Sequence, residues 1–181
     1  MPTPQTCGRC LREAPAFDAA IAAFEYRFPL DGLVQRFKFG GDLAVGRWLG
    51  ERMALATRAA ERPDVLVAPP LARARLRHRG FNQAIELARV VGAAHGLRVD
   101  AFALERVRDT AAQPGLGRRE RHANLRDAFR ASRRWPGAHV AIVDDVMTTG
   151  ATAEAMARVL KDAGAQRVSA WIVARTPEPG R

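Results

Sequence analysis

Val140-Ala141-Ile142-Val143-Asp144-Asp145-Val146-Met147-Thr148-Thr149-Gly150-Ala151-Thr152 is the stretch on which the fold turns. Four apolar residues in a row read as a buried central strand. Two carboxylates follow where that strand leaves the core. A turn rich in Thr and Gly then leads into a helix, whose first N–H groups and dipole favour a phosphate. Gly150 lets the backbone come close to an oxyanion, and the hydroxyls of Thr148, Thr149 and Thr152 add donors. Asp144 and Asp145 would repel a phosphate, but they suit the vicinal hydroxyls of a ribose, which donate to carboxylates. The stretch therefore fits a ribose 5-phosphate, with the sugar on the two acids and the phosphate on the bend from Val146 and Met147 through Thr148, Thr149, Gly150, Ala151 and Thr152. Alone, Asp144-Asp145 would read as the start of a turn and Thr149 as a helix cap. All thirteen positions in order read as a site.

Two other phosphate-handling patterns fail on the sequence. A nucleotide-triphosphatase strand also ends in acids, but it needs a Gly-rich loop closing in Gly-Lys-Ser/Thr, and neither Lys38 nor Lys161 follows a glycine. No Gly-x-Gly-x-x-Gly dinucleotide loop occurs either.

Outward from the motif, a helix is predicted over residues 151–163, with Gly164 past its end and a last strand over 168–174. Toward the N-terminus, Phe24, Tyr26 and Phe28 alternate with Glu25 and Arg27, the period of a half-buried strand. Residues 30–39 read as a short helix closed by Gly40-Gly41. Asp42 reads as the N-cap of a helix running to about residue 60, with Leu43, Val45, Leu49, Met53 and Ala56 as its face. Residues 65–68 form a strand stopped by Pro69-Pro70, and an arginine-rich loop follows. A helix over 83–94 ends at Gly96. A strand near 99–104 precedes a polar stretch, 106–126. Strands alternating with helices mean crossover connections and a mainly parallel sheet, an α/β architecture. Ligands bind beyond the carboxyl ends of such strands, which puts residues 144–152 and 69–79 at the same rim.

The bulk properties set outer bounds. A chain of 181 residues, 48% hydrophobic, suits one globular domain and not a disordered tail. No apolar run approaches the roughly 18 residues of a membrane span. The first ten residues are polar and lack a secretory core. Two cysteines three residues apart make no disulfide scaffold, and a soluble cytoplasmic protein is the expectation. The net charge of +10 points to a nucleic-acid or polyphosphate partner. It equally fits a GC-rich genome, since only Lys38 and Lys161 of the 29 basic residues are lysines.

The thirteen-residue motif resembles the phosphoribosyl-pyrophosphate (PRPP) signature of type I phosphoribosyltransferases. The wider chain, about residues 7–177, resembles one branch, the ComF family of competence-associated proteins, often described as predicted amidophosphoribosyltransferases. Arg79-Gly80-Phe81-Asn82-Gln83 resembles that branch's Arg-Gly-Phe-Asn-Gln element, and Lys38-Phe39-Gly40-Gly41 its Lys-Tyr-x-Gly segment. Thr110, Gln113, Leu116, Arg121, Asn124, Ala128 and Phe129 resemble the spaced residues of its middle region.

The resemblance implies a three-layer type I phosphoribosyltransferase-like fold: a mainly parallel twisted sheet flanked by helices, with a small hood. It divides the chain into residues 1–16, a remnant of a cysteine-containing, zinc-module-like segment, and 17–177, the phosphoribosyltransferase-like domain. It makes the loop after the 65–68 strand the pyrophosphate loop, with Pro70, Leu71, Arg73, Arg75 and Arg79 as its residues. The residues agree, because Arg73, Arg75, Arg77 and Arg79 come with no acid among them and Arg forks bind phosphate oxygens. Alone, such a run would read as a solvated basic loop. Arg118, Arg119 and Arg121 form a second cluster. Residues 106–126, with Gln113, Arg121 and Asn124, read either as a lid over the reacting centre or as a surface loop.

ComF proteins commonly begin with a four-cysteine zinc module, and here only Cys7 and Cys10 are present. Structural zinc needs about four ligands, so Zn2+ is not expected in this chain. Cys7 and Cys10 then read as an incomplete zinc half-site: either the chain is truncated at its start, or the start is called too late, with a further Cys-x-x-Cys expected in frame upstream, or a zinc is shared between two subunits. As an enzyme, the protein would transfer the phosphoribosyl group of PRPP, with Mg2+, to a nitrogen acceptor. Asp144 and Asp145 would be the catalytic residues. No N-terminal cysteine nucleophile with a glutaminase domain exists here, so a complete glutamine-using amidotransferase is not expected. The alternative is a non-catalytic PRPP or nucleotide sensor, or a DNA-binding accessory protein in transformation. The partners allowed are then a ribose 5-phosphate compound, single-stranded DNA or DNA-uptake proteins, and a second copy in a homodimer.

Overall fold

The computed structural model describes residues 14–108, 125 and 127–177. Strand β1 (Ala19–Glu25) leads to helices α1 (Leu30–Gly40) and α2 (Leu43–Ala56), then to strand β2 (Val65–Val67). Helices α3 (Arg73–Arg79) and α4 (Gln83–His95) follow, then the short strands β3 (Arg98–Asp100), β4 (Leu104–Arg106) and β5 (Phe129–Ala131). Strand β6 (His139–Met147), helix α5 (Ala151–Asp162) and strand β7 (Arg167–Arg175) complete the described elements.

Five strands make one parallel sheet in the order β1-β7-β6-β2-β3, and β4 pairs with β5 antiparallel in a separate ribbon. The chain leaves β2 toward β3 on one side and leaves β6 toward β7 on the other. The crossover direction reverses between β2 and β6, which opens a crevice beyond the carboxyl ends of these two strands. Open α/β sheets bind ligands at such a switch point.

Both faces of β6 are buried, as a central parallel strand requires. Ala141 and Val143 face the core that Leu30, Val34, Phe37, Leu49, Met53 and Leu87 build from α1, α2 and α4. Val140 and Ile142 face a second core with Met156, Ala157 and Leu160 of α5 and with Leu104, Phe129 and Trp135. The result is a parallel sheet flanked by helices, as the alternating pattern predicts.

Several expectations shift. The first strand begins at Ala19 and ends at Glu25, so Tyr26 and Phe28 fall in the following turn and Phe28 is exposed. The run Ala19-Ala20-Ile21-Ala22-Ala23 hides this strand, because alanine carries little strand preference. Asp42 does cap α2, accepting from the Val45 backbone N–H at 3.1 Å. That helix stops at Ala56 and buries Gly46, Leu49, Gly50, Met53 and Ala54; Leu43 and Ala56 stand exposed. The predicted strand near 99–104 is two strands in different sheets. Residues 73–79 are a helix and not a loop: no Gly or Pro interrupts them, and Arg, Ala and Leu are good helix formers.

Gly46 lets α1 lie close against α2. A Cβ there would fall 2.3 Å from the ring of the fully buried Phe37. Gly46→Ala is therefore expected to destabilise the protein by about 1–3 kcal/mol, since an overpacked core must shift side chains or backbone. Urea unfolding would measure this, and an unchanged midpoint would contradict the packing.

Candidate functional site

The β2–β6 ladder ends at the Val67–Ile142 pair, while β6 runs on to Met147. Asp144 and Asp145 thus lie inside the strand, and not after it as the sequence suggested. The aspartates serve the backbone here: Asp144 Oδ1 accepts from the Asp145 N–H at 2.8 Å, and Asp145 Oδ1 accepts from the Val146 N–H at 2.6 Å. β2 gives out at Ala68, Pro69 and Pro70, because proline cannot donate to a ladder.

Neighbouring residues on a strand point to opposite faces, and the two carboxylates part accordingly. Asp145 continues the Ala141–Val143 face toward α1. It is buried, and its Oδ1 lies 2.9 Å from the Lys38 ammonium in the last turn of that helix. Its Oδ2 is buried with no hydrogen-bond partner among the described residues. Asp144 continues the opposite face and keeps part of its surface open to solvent. Burial, and then the Asp145 charge, push its carboxyl up to about 7; the Asp145 N–H and Lys38 pull the other way. The sequence suggests two equivalent acids gripping a sugar; the structure turns one inward and leaves one at the crevice.

The segment after β2 reaches the same place. Pro70 and Leu71 are half-buried links into α3. Helical spacing sorts the four arginines into pairs: Arg75 and Arg79 are partly covered, Arg73 and Arg77 are exposed. Arg79 lies over the Phe39 ring, 5.1 Å from its centroid, and donates to the Gln83 side-chain oxygen. Burial pulls the Arg79 guanidinium below its ordinary value, the Asp145 carboxylate pulls it up, and Arg75 pulls it down.

Each residue of 79–83 has a job there. Gly80 ends α3 in the left-handed conformation, φ 79°, and Phe81 packs on Phe37 with ring centroids 5.6 Å apart. The Asn82 side chain caps α4 by accepting from the Ala84 N–H at 3.0 Å, and donates to the Pro69 carbonyl at 2.9 Å. That bond ties the start of α4 to the end of β2. Lys38 and Phe39, from the other branch-like segment, meet Asp145 and Arg79 directly. Sequence reasoning put residues 69–79 at the rim of the aspartates, but nothing in it joined Lys38 and Phe39 to them, because the Lys38–Asp145 pairing crosses more than a hundred residues.

The bend after β6 has the predicted form. Thr148 is exposed and Thr149 half-buried, with Thr149 Oγ1 accepting from the Ala151 N–H at 3.3 Å. Gly150 takes φ 80°, which only glycine adopts without strain, and α5 begins at Ala151. Thr152 is half-buried in the first turn. Of the other residues, Met147 packs with Ala153, Ala170 and Ile172, Val146 packs toward the first core, and Ala151 is buried. These three side chains are thus taken up by packing.

Ala128 and Phe129 are core residues of the second cluster. Gln113, Arg121 and Asn124, with Thr110 and Leu116, lie outside the described residues, as do Cys7 and Cys10. Among the described residues no group of three or more His, Cys, Asp or Glu side chains could hold a metal ion, and no helix is long and apolar enough to cross a membrane.

Comparison with known proteins gives the following. Residues 45–180 match the phosphoribosyl transferase domain family. Competence protein F of Haemophilus influenzae is 33% identical over 180 residues, covering 94% of this chain and 79% of that protein. DNA utilization protein YhgH of Salmonella typhimurium is 37% identical over 176 residues, covering 94% and 78%. A solved structure of the allosteric regulatory enzyme of purine biosynthesis superposes with a TM-score of 0.48 at 24% identity, over 70% of this chain and 25% of its own.

The raised Asp144 carboxyl has a consequence for stability. The folded state holds a proton on Asp144 between the ordinary value of 3.8 and about 7, where the unfolded chain has lost it. Asp144 therefore lowers stability as pH rises through that window. Asp144→Asn is expected to melt higher than the wild type at pH 8, with the difference shrinking toward pH 4. Thermal unfolding across pH checks this, and a wild type that gains stability relative to the variant between pH 4 and pH 8 would contradict it.

Proposed function

The chain belongs to the phosphoribosyl transferase domain family, and from that premise we propose that the β2–β6 crevice binds PRPP and transfers its phosphoribosyl group to a nitrogen acceptor. One observation carries this proposal. Asp144 keeps part of its surface open near the end of β6, shortly before the Thr148–Gly150 bend, and Arg79 of α3 acts through its field on the adjoining Asp145. Asp144 takes a ribose hydroxyl, the bend and the first turn of α5 take the 5-phosphate, and Arg75 and Arg79 face the diphosphate. The C1–O bond to diphosphate breaks with its electron pair going to the diphosphate. The acceptor nitrogen forms the new bond to C1 and gives up its proton to solvent. Asp144 and Asp145 lie beside the cationic sugar of the transition state, and positioning supplies most of the effect.

Magnesium would enter with the diphosphate, where it would neutralise charge on the leaving group, and Asp144 is the carboxylate that would face it. Asp145 is already paired with Lys38, and the described residues offer no metal-ligating cluster. The names of the relatives, competence protein F and DNA utilization protein YhgH, support a place for this activity in the handling of incoming DNA. A second reading, direct contact with single-stranded DNA, draws support from Arg73 and Arg77 on the solvent side of α3.

Calorimetric titration with PRPP in magnesium buffer at pH 7.5 tests the pocket. The wild type is expected to bind, and Asp144→Asn to bind at least about tenfold more weakly, the loss of one charge-assisted hydrogen bond. Equal heats from both proteins would overturn the proposal. Pyrophosphate release on adding amines or nucleobases would separate transfer from sensing. For the DNA reading, replacing Arg73 and Arg77 by Ala should flatten the salt dependence of oligo-dT binding by roughly 1.4 in slope, two phosphate contacts at about 0.7 each. An unchanged slope would remove it.

A further inference from the structure

Lys38 lies upstream of the span 45–180 that matches the phosphoribosyl transferase family, yet its side chain enters that domain's carboxylate pair. It stands in the last turn of α1, where the helix dipole favours a cation. Phe37, its neighbour, is fully buried and anchors that turn to the core. The Lys38 side chain is only 21% exposed and the Asp145 side chain 5%. A carboxylate at that depth, beside a second carboxylate, would be costly without a counter-charge. Arg79 acts on Asp145 through its field, but its guanidinium is engaged with Phe39 and Gln83.

We propose that Lys38 is a positioning residue: its ammonium fixes Asp145 inward as a paired carboxylate and so makes Asp144 the member of the pair that meets the ligand. The site identity rests on the proposed function; the coupling of the three side chains exists without any ligand. Asp145 Oδ1 holds two donors, Lys38 Nζ and the Val146 N–H, so it cannot swing to the crevice without losing both. The charged groups facing the pair are Lys38 from α1, Arg79 from α3 with Arg75 behind it, and the aspartates themselves from β6. Asp144 can then donate to or accept from a sugar hydroxyl, while Asp145 stays held inward by Lys38.

The test is a carboxyl-carbon NMR titration of the full chain without ligand, following Asp144 in the wild type, Lys38→Gln, Lys38→Arg and Asp145→Asn. Asp144 is expected to titrate near 7 in the wild type. Lys38→Gln should move its midpoint up by about one pH unit, Lys38→Arg should restore it, and Asp145→Asn should lower it, since only charge near the carboxyl has changed. An Asp144 midpoint unmoved by Lys38→Gln, or a Lys38→Arg variant that behaves like Lys38→Gln, would overturn the assignment. If Lys38→Gln fails to fold, the double variant with Asp145→Asn decides. It should fold, because the buried charge that needed Lys38 is gone; failure of the double variant as well would show that Lys38 acts elsewhere. A wild type that shows these shifts but binds no PRPP would remove the proposed substrate and leave Lys38 in its role. PRPP binding without the shifts would do the reverse.

Discussion

Two adjacent carboxylates on a strand buried on both faces cannot share one environment. Each is costly to desolvate, and each raises the cost of the other. Strand alternation resolves this by sending Asp145 toward α1 and Asp144 toward the crevice, and Lys38 supplies the charge that makes the inward position tenable. Burial first, and then the charge of Asp145 beside it, push the Asp144 carboxyl up to about 7. A group tuned to neutral pH at the mouth of a crevice is suited to hydroxyl and proton chemistry.

The scaffold exists to hold that pair at a fixed place. Pro69 and Pro70 end β2 early, so β6 projects past its neighbour and opens the switch point. The Asn82 side chain bridges the Pro69 carbonyl and the Ala84 N–H, fixing where α4 starts relative to the crevice. Gly46 brings α2 onto Phe37 and so fixes α1, the helix that carries Lys38 and Phe39. Phe39 in turn carries Arg79. A packing contact in the first core is therefore connected, through one helix, to the electrostatics of the site.

Much of this was legible in the sequence. The 140–152 stretch announced the strand, the bend and the helix because every local preference there agrees with the fold. Caps at Asp42, Gly41 and Gly96 marked helix ends correctly because their chemistry is local. What escaped depends on distant neighbours. Asp145 reads as one of two sugar-gripping acids until Lys38 is known to lie 2.9 Å from it. Residues 73–79 read as a loop from the stop at Pro69-Pro70 and the run of like charges, whereas Arg, Ala and Leu carry enough helix propensity to form α3. The strand Ala19–Glu25 is held by pairing with β7 and packing on α2, including the Phe24–Trp48 stack at 5.8 Å, and not by its own composition.

The most direct measurement is a crystal structure of the protein soaked with ribose 5-phosphate. The account requires a sugar hydroxyl on the Asp144 carboxyl, the phosphate on the Thr148–Thr152 bend, and Lys38 still paired with Asp145. A phosphate bound away from that bend, or an Asp145 released from Lys38 to face the sugar while Asp144 turns inward, would contradict it.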